Sequence, residues 1–153
     1  MTARTDTTAF TPADTQYAQR VKDCFAQQAA MRSLGVSLEV VEPGFISLRM
    51  PYTADFTQHN GFMHAGIITT TLDSACGFAA FSLMPETKNV LSIEFKTNLL
   101  APAKGREFLF EGRVLKAGRT ITVCEGRAFE LSGGAQRLIA SMTATMIAVD
   151  VVT

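Results

Sequence analysis

The chain is predicted to fold as an α+β domain in which an antiparallel sheet of about six strands wraps around one long central helix. Residues 58–84 contain an apolar run at helical spacing with almost no polar face, which is typical of a buried helix. Most of the remaining chain alternates apolar and polar residues, as half-buried strands do. Consecutive antiparallel strands with one buried helix inserted after the second strand favour a sheet that packs around that helix.

The elements are predicted in the order helix, two strands, long helix, four strands. An additional N-terminal helix begins between Pro12 and Thr15, ends at Met31 and is expected to cover the rest of the fold. The first two strands form a predicted hairpin around Pro43 and Gly44. The six predicted strands cover residues 36–40, 46–50, 89–100, 107–117, 120–131 and 136–149, with glycine turns at 118–119 and 132–134.

The length of 153 residues suits one domain with a sizeable core. Residues 1–12 are predicted to be a flexible arm, and residues 13–153 a single domain. Basic and acidic residues balance at 14 each, so the net charge predicts neither nucleic acid nor a membrane surface as a partner. No segment reaches the ~18 apolar residues of a spanning helix, and the polar N-terminus does not have the pattern of a secretory signal.

The three cysteines, Cys24, Cys76 and Cys124, are odd in number, far apart and set in apolar or strand-like surroundings. This pattern fits a reduced cytosolic protein better than a disulfide or zinc framework. We therefore expect a cytoplasmic protein with no metal site and no cofactor.

Asp73 is the residue that stands out in the central helix. A carboxylate in such an apolar setting is costly unless it is paired, solvated in a cleft or used in chemistry. Two local signals precede it, the turn Asn60-Gly61 and the small-residue segment His64-Ala65-Gly66.

Gln58, His64-Ala65-Gly66 and Asp73, leading into an apolar helix, resemble the hotdog-fold acyl-CoA thioesterases of the phenylacetic-acid-degradation (PaaI) type and the related 4-hydroxybenzoyl-CoA thioesterases. In that family a His-Gly-Gly or His-Ala-Gly segment opens the wrapped helix, and an acidic residue follows two turns later. The resemblance continues through residues 90–95, 102–105 and 117–120, and covers about residues 35–149. It implies a hotdog fold and hydrolysis of acyl-CoA thioesters of small, aryl or medium-chain acids.

Thioester hydrolysis places negative charge on the carbonyl oxygen, and backbone N–H groups at a helix N-terminus stabilise such charge. Ala65 and Gly66 are predicted to supply these donors. Asp73 is predicted to be the nucleophile or the base that takes a proton from water. The alternative for Asp73 is a structural carboxylate bonded to a hydroxyl of Thr69, Thr70 or Ser74.

The resemblance implies further catalytic roles, each with a structural alternative. Gln58 would hold the thioester carbonyl or the water, or would be a solvated loop amide. His64 would orient the loop or contact the ligand, or would satisfy backbone groups at the helix start. Ser92 would orient water, or would be a plain strand serine. Two departures from the family pattern are Ala65, in place of the commoner glycine, and Gly77, where some relatives carry Thr or Ser.

Coenzyme A carries phosphates, so a local cationic patch is expected even on a neutral protein. The cations on the predicted turns would contact the phosphates, or would be ordinary solvated surface charges. The apolar side chains around the central helix would form an acyl pocket, or would belong to the core. The predicted substrate-binding residues are Asn60, Phe62, Met63, Phe78, Lys104, Arg106, Gly118, Arg119 and Thr120.

The spacing of the predicted donors and acid has a consequence for assembly. Ala65 and Asp73 are eight positions apart, hence ~12 Å along one helix, whereas one thioester carbon must lie within ~3 Å of both groups. A homodimer in which the helix start of one subunit faces Asp73 of the other resolves this conflict and gives two equivalent sites. The family resemblance implies the same arrangement, and a homotetramer, as a dimer of dimers, is expected.

Two other functions fit the same fold. A hydroxyacyl-thioester dehydratase or hydratase would need a histidine and an acid placed together, but His59 and His64 both precede the helix. A non-catalytic acyl-CoA-binding protein would keep the pocket without turnover, although such a protein has no need of Asp73.

Overall fold

A computed structural model describes residues 10–151 of the chain. The predicted α+β class and the order of elements are confirmed. Residues 1–9, most of the predicted arm, lie outside the described residues, and Phe10 packs against the core. The elements are α1 (Tyr17–Gln27), α2 (Ala29–Ser33), β1 (Ser37–Glu42), β2 (Phe45–Pro51), a short 3-10 turn (Ala54–Phe56), α3 (Ala65–Phe81), β3 (Lys88–Leu99), β4 (Glu107–Ala117), β5 (Ile121–Ser132) and β6 (Ala135–Asp150).

The six strands form one sheet in the order β1-β2-β4-β5-β6-β3, and every neighbouring pair is antiparallel. Local turn chemistry explains the two predicted hairpins. Gly44 turns β1 into β2 with a φ of 73°, and Gly133 and Gly134 join β5 to β6 with φ values of 56° and 82°. Two consecutive positive φ angles are what a two-residue type I′ hairpin turn requires, and glycine adopts them without strain.

The sheet packs against α3, which is buried as its apolar sequence predicts. Gly112 of β4 explains how closely helix and sheet approach, because a Cβ atom there would lie 2.2 Å from the carbonyl oxygen of Ala75. Only glycine lets the α3 backbone lie directly on this strand. The buried side chains of α3 are Ile68, Thr71, Leu72, Ala75, Cys76, Phe78, Ala79, Ala80 and Phe81.

The prediction of one continuous N-terminal helix up to Met31 is wrong. The helix breaks at Gln28, whose backbone is extended (φ −72°, ψ 99°), and α2 continues beyond it as a separate five-residue helix. The Gln28 side chain accepts a hydrogen bond from the Ser74 hydroxyl of α3, so a tertiary contact accompanies the break. Arg20 anchors α1 to the far end of α3 by stacking on Phe81 and by donating to the carbonyl of Met84.

Among residues 10–151, strand β3 forms one edge of the sheet and pairs only with β6. A register shift between Ser92 and Glu94 leaves Ile93 as an extra, bulged residue. Beyond the bulge, Phe95 pairs with the fully buried Ala144, so Phe95 lies on the helix-facing side of the sheet. It is nevertheless 45% exposed, and Leu91 and Leu99 are more than half exposed. A long edge strand with this many exposed apolar side chains is expected to be covered by a partner.

Candidate active site

The start of α3 is capped by the side chain of His64. Its Nδ1 atom accepts a hydrogen bond from the Gly66 N–H at 3.0 Å, which leaves the ring proton of neutral His64 on Nε2. This is the structural role that the sequence left open for His64. The predicted donor of Gly66 is therefore occupied by the cap, whereas the N–H of Ala65 has no acceptor within residues 10–151. Ala65 is the available donor at this helix terminus.

Backbone hydrogen bonds hold the segment before α3 in place. The Met63 N–H donates to the carbonyl of Ala103 at 2.8 Å, and the His64 N–H donates to the carbonyl of Phe56 at 2.9 Å. The Tyr52 hydroxyl donates to the carbonyl of Gly61 at 3.0 Å. These three hydrogen bonds fix the direction in which the first N–H groups of α3 point.

Gln58 and Asn60 form the tight turn that precedes this segment. The Gln58 N–H donates to the Phe62 carbonyl at 2.8 Å, and the Gln58 side-chain oxygen accepts from the Asn60 N–H. The Asn60 amide lies 3.1 Å from the Nε2 atom of His59. Both predicted site residues are thus placed near the helix start, with the Gln58 side-chain oxygen engaged in the turn.

Glu130 on β5 fixes the loop that supports Met63. Its carboxylate accepts hydrogen bonds from the N–H groups of Lys104 (3.1 Å) and Gly105 (2.9 Å) and from Arg137 (2.9 Å). Burial by itself would raise the pKa of Glu130, whose side chain is 12% exposed, but the hydrogen bonds from Lys104, Arg137 and Gly105 lower the pKa below its ordinary value. Glu130 could not be selected from the sequence, because its backbone partners Lys104 and Gly105 lie 26 and 25 residues away. We call residues 58–66 and 103–106 the helix-start region.

Asp73 and Ser92 lie next to each other in the structure. The Ser92 hydroxyl donates to the Asp73 carboxylate at 2.6 Å, which links α3 to the edge strand β3. Two of the three hydroxyls considered as structural partners of Asp73 bond elsewhere: Thr70 donates to the Gly66 carbonyl and Ser74 to Gln28. Asp73 is half-buried, so its carboxylate remains accessible from one side.

A cavity of about 310 Å³ opens beside Asp73. It lies between α3, β3 and the break between α1 and α2, and we call its lining the acid region. Sequence reasoning missed Gln28 and Ser74 as part of this region, and only the tertiary contact between them reveals their place. The lining residues are Gln28, Asp73, Ser74, Gly77, Phe78, Val90, Leu91 and Ser92.

The predicted acyl-pocket side chains divide between the two regions. Phe78 lines the cavity, and its ring packs against Phe25 and Phe81 at centroid distances of 5.6 and 6.1 Å. Met63 is 4% exposed and belongs to the core beneath the helix-start region, while Phe62 is half-buried in the preceding turn. Neither Met63 nor Phe62 reaches this cavity in one chain.

The predicted coenzyme A contacts lie at opposite ends of β4. Lys104 and Arg106 precede the strand in the helix-start region, and both are exposed. The turn Gly118-Arg119-Thr120 follows the strand roughly 35 Å away along its eleven residues. This turn lies at the Ser92 end of the sheet, because Thr122 and Ser92 both pair with Met146. Gly118 also has a structural reason, since a Cβ atom there would lie 2.4 Å from the Ile121 carbonyl oxygen.

The cysteines do not contribute to either region. Cys24, Cys76 and Cys124 are free thiols. Burial raises the pKa of Cys124 to about 12 and raises that of Cys76 as well, so both stay protonated and unreactive. Within residues 10–151, no three metal-ligating side chains are grouped to hold an ion, and no helix is long and apolar enough to cross a membrane.

Comparison with known proteins gives consistent matches. A profile of the thioesterase superfamily matches residues 60–135. A thioesterase family protein from Silicibacter pomeroyi has a solved structure with a TM-score of 0.86 and 51% sequence identity, covering 88% of this chain and 98% of that one. The PaaI protein of the E. coli phenylacetic acid degradation operon is similar in fold, with a TM-score of 0.80 at 16% identity over 88% of this chain and 94% of that one.

A curated relative from Halobacterium salinarum, described as a candidate esterase, is 36% identical over 97 residues. The alignment covers 60% of this chain and 64% of that protein, so the chain spans just under two thirds of the relative's length. The structural matches confirm the predicted hotdog fold.

Proposed function

This chain belongs to the thioesterase superfamily, and we propose that it hydrolyses acyl-CoA thioesters to a free acid and coenzyme A. The observation that carries the proposal is the contact between Asp73 and Ser92 at the mouth of a cavity. A carboxylate held by one hydroxyl and open on its other side suits a group that attacks a thioester carbon or activates a water molecule.

The start of α3 supplies the complementary part of the chemistry. In the transition state the thioester oxygen accepts a hydrogen bond from the N–H of Ala65, and the positive end of the helix dipole stabilises its charge. The bond between His64 and Gly66 orients this first turn. Gly66 therefore acts by donating its N–H to the His64 cap.

One chain does not assemble both parts at one carbon. Ala65 and Asp73 lie on one unbroken helix, about 12 Å apart along its axis. The proposed enzyme is therefore a homodimer in which the helix-start region of one protomer faces the acid region of the other.

The exposed edge strand supports this assembly. Leu91, Phe95 and Leu99 on β3 expose about half of their side-chain surface, and Ser92 of the same strand contacts Asp73. Pairing β3 with β3 of a second copy would cover this apolar surface and bring each Asp73 to the interface. A further association into a tetramer remains a prediction.

The dimer would also bring the separated cations to one ligand. Lys104 belongs to the helix-start region and Arg119 to the end of the sheet that holds Ser92. In a shared site the two residues would come from different protomers and could meet the phosphates of the same coenzyme A molecule.

A panel of acyl-CoAs, from acetyl to octanoyl and aryl-acetyl, tested with a reagent for free thiols would decide the activity. We expect thiol release that depends on protein concentration, and release no faster than in buffer for every acyl-CoA would refute the proposal. If an enoyl-CoA incubated with the protein loses its absorbance without thiol release, this result would instead support hydration. Asp23→Asn, a change at an exposed carboxylate on α1, serves as the matched control for changes at Asp73.

A further inference from the structure

Gly77 is an unexpected residue for the middle of a buried helix. Glycine in a helix interior costs stability relative to alanine, so it is usually retained for a packing reason. Gly112 shows such a reason, because a Cβ atom there would overlap the α3 backbone. A Cβ atom at Gly77 would meet no atom within 4 Å among the described residues. It would project into open space, and Gly77 lines the cavity beside Asp73.

Gln28 contributes an unusual polar group to the same cavity. Its Oε1 atom accepts the hydrogen bond from Ser74 at 3.2 Å, which leaves the two Nε2 protons as donors. Within residues 10–151 no acceptor bonds to Nε2. The side chain is half-buried at the break between α1 and α2 and lines the cavity. A partly desolvated amide donor of this kind is satisfied by an acceptor atom of a ligand or by water.

The lining is polar at Asp73, Ser74 and Ser92 and apolar elsewhere. Phe78, Val90 and Leu91 form its apolar part, so the carbon chain of a bound group would contact them. Gly77 lies one turn beyond Asp73, about 6 Å along α3. A thioester held at Asp73 would thus direct its acyl chain past Ser74 and Gln28 towards the space above Gly77.

We infer that this cavity is an acyl subsite selective for an oxygen-bearing acyl group, a hydroxyacyl or oxoacyl chain, whose oxygen accepts a hydrogen bond from Gln28 Nε2 while its carbon chain occupies the space left by Gly77. The inference rests on the proposed thioesterase function and extends it to a substrate class. Gln28 and Gly77 determine specificity and take no part in bond breaking.

The test compares hexanoyl-CoA with its 3-, 4-, 5- and 6-hydroxy derivatives on the full-length protein. For wild type, kcat/KM should be higher for at least one hydroxy derivative than for hexanoyl-CoA. Gln28→Met keeps the length of the side chain but removes the donor. The ratio of kcat/KM for the preferred hydroxy derivative to kcat/KM for hexanoyl-CoA should therefore fall about 3- to 10-fold, the value of one neutral hydrogen bond. Gln27→Met, at the exposed neighbouring position, should leave the ratio unchanged.

Gly77→Ala tests the space independently of the hydrogen bond. Alanine should keep or raise the melting temperature because it favours the helix. It should lower kcat/KM for hexanoyl-CoA relative to acetyl-CoA, since the added methyl group occupies the cavity. A folded Gly77→Ala protein in which kcat/KM for hexanoyl-CoA relative to acetyl-CoA is unchanged would contradict the subsite.

Calorimetric binding of ketone analogues, in which a methylene group separates sulfur from the carbonyl, removes the dependence on turnover. If wild type hydrolyses no acyl-CoA, the proposed function fails, and these analogues still decide the subsite. Tighter binding of a hydroxylated analogue that is lost in Gln28→Met supports the inference. Equal binding of plain and hydroxylated analogues by wild type overturns it, even if hydrolysis of hexanoyl-CoA is normal.

Discussion

The helix-start region and the acid region lie on the same helix but are built differently. At the helix start, backbone hydrogen bonds from Met63 and His64, together with the His64 cap, hold the backbone in place. In the acid region, hydrogen bonds between side chains join α3 to β3 and to the break between α1 and α2, and a cavity lies beside them. The first region is a rigid source of oriented donors, and the second holds a carboxylate beside open space. Each supplies what the other lacks, which favours a site shared between two chains.

The largest expected effect concerns the carboxylate of the acid region. Asp73→Asn keeps the shape of the side chain but removes its charge and basicity, so kcat should fall by at least ~10²-fold. Asp73→Ala should reduce kcat similarly while acyl-CoA binding is mostly retained, since the acid acts on the transition state. Steady-state kinetics with calorimetric binding measures both quantities. Near-normal turnover in a folded Asp73→Asn protein would remove Asp73 from the mechanism.

A smaller effect is expected for two cations, Lys104 of the helix-start region and Arg119 at the Ser92 end of the sheet. Lys104→Ala or Arg119→Ala should raise KM for acyl-CoA about tenfold through the loss of a charge-assisted contact with a phosphate. Either change should matter little for a short pantetheine thioester that lacks the nucleotide. Lys22→Ala, on the exposed side of α1, is the control. If both thioesters respond equally, Lys104 and Arg119 are ordinary surface charges.

The smallest effect is on stability and concerns the support of the helix start. Glu130→Gln weakens the bonds to Lys104, Gly105 and Arg137, and should lower the free energy of unfolding by about 1 kcal/mol at pH 7. The folded state lowers the pKa of Glu130, so its stabilisation is present above the ordinary glutamate pKa of about 4.3 and is lost as pH falls through the lower folded value.

Urea unfolding of wild type and Glu130→Gln at equal protein concentration should therefore give curves that converge as the pH falls below the ordinary glutamate pKa of about 4.3. Glu86→Gln, at an exposed position, should not change the pH dependence. A difference between wild type and Glu130→Gln that persists unchanged at the acid end would assign the loss to packing.

Most of the fold could be predicted because local patterns determine it. Alternation of apolar residues located the strands, and the glycines at 44, 133 and 134 located two turns. The structure shows that all three glycines adopt the positive φ angles that such turns require. The break at Gln28 could not be predicted, since glutamine carries no breaking signal and its partner Ser74 is 46 residues away. The bulge at Ile93, which turns Phe95 towards the helix side, is likewise a property of strand pairing.

Part of the candidate site could also be predicted from the sequence. The residues at the helix start and Asp73 follow from one contiguous segment and its chemistry. Their mutual roles were harder to predict, because a histidine preceding a helix can contact a ligand or cap the terminus. The structure shows that His64 accepts from Gly66, which leaves Ala65 as the available donor. Gln28 bonds Ser74, and Glu130 bonds the backbone of Lys104 and Gly105, all far along the chain, so neither residue could be selected from local patterns.

Mixing two inactive variants tests the shared site most directly. Asp73→Asn removes the acid. Gly66→Pro removes the N–H group that donates a hydrogen bond to His64, and it disturbs the helix start. After subunit exchange, about half of the dimers are heterodimers, each with one doubly altered site and one intact site, so activity should recover to roughly a quarter of wild type. Verified heterodimers that remain inactive would contradict the account, because Asp73 would then act with donors of its own chain or not act at all.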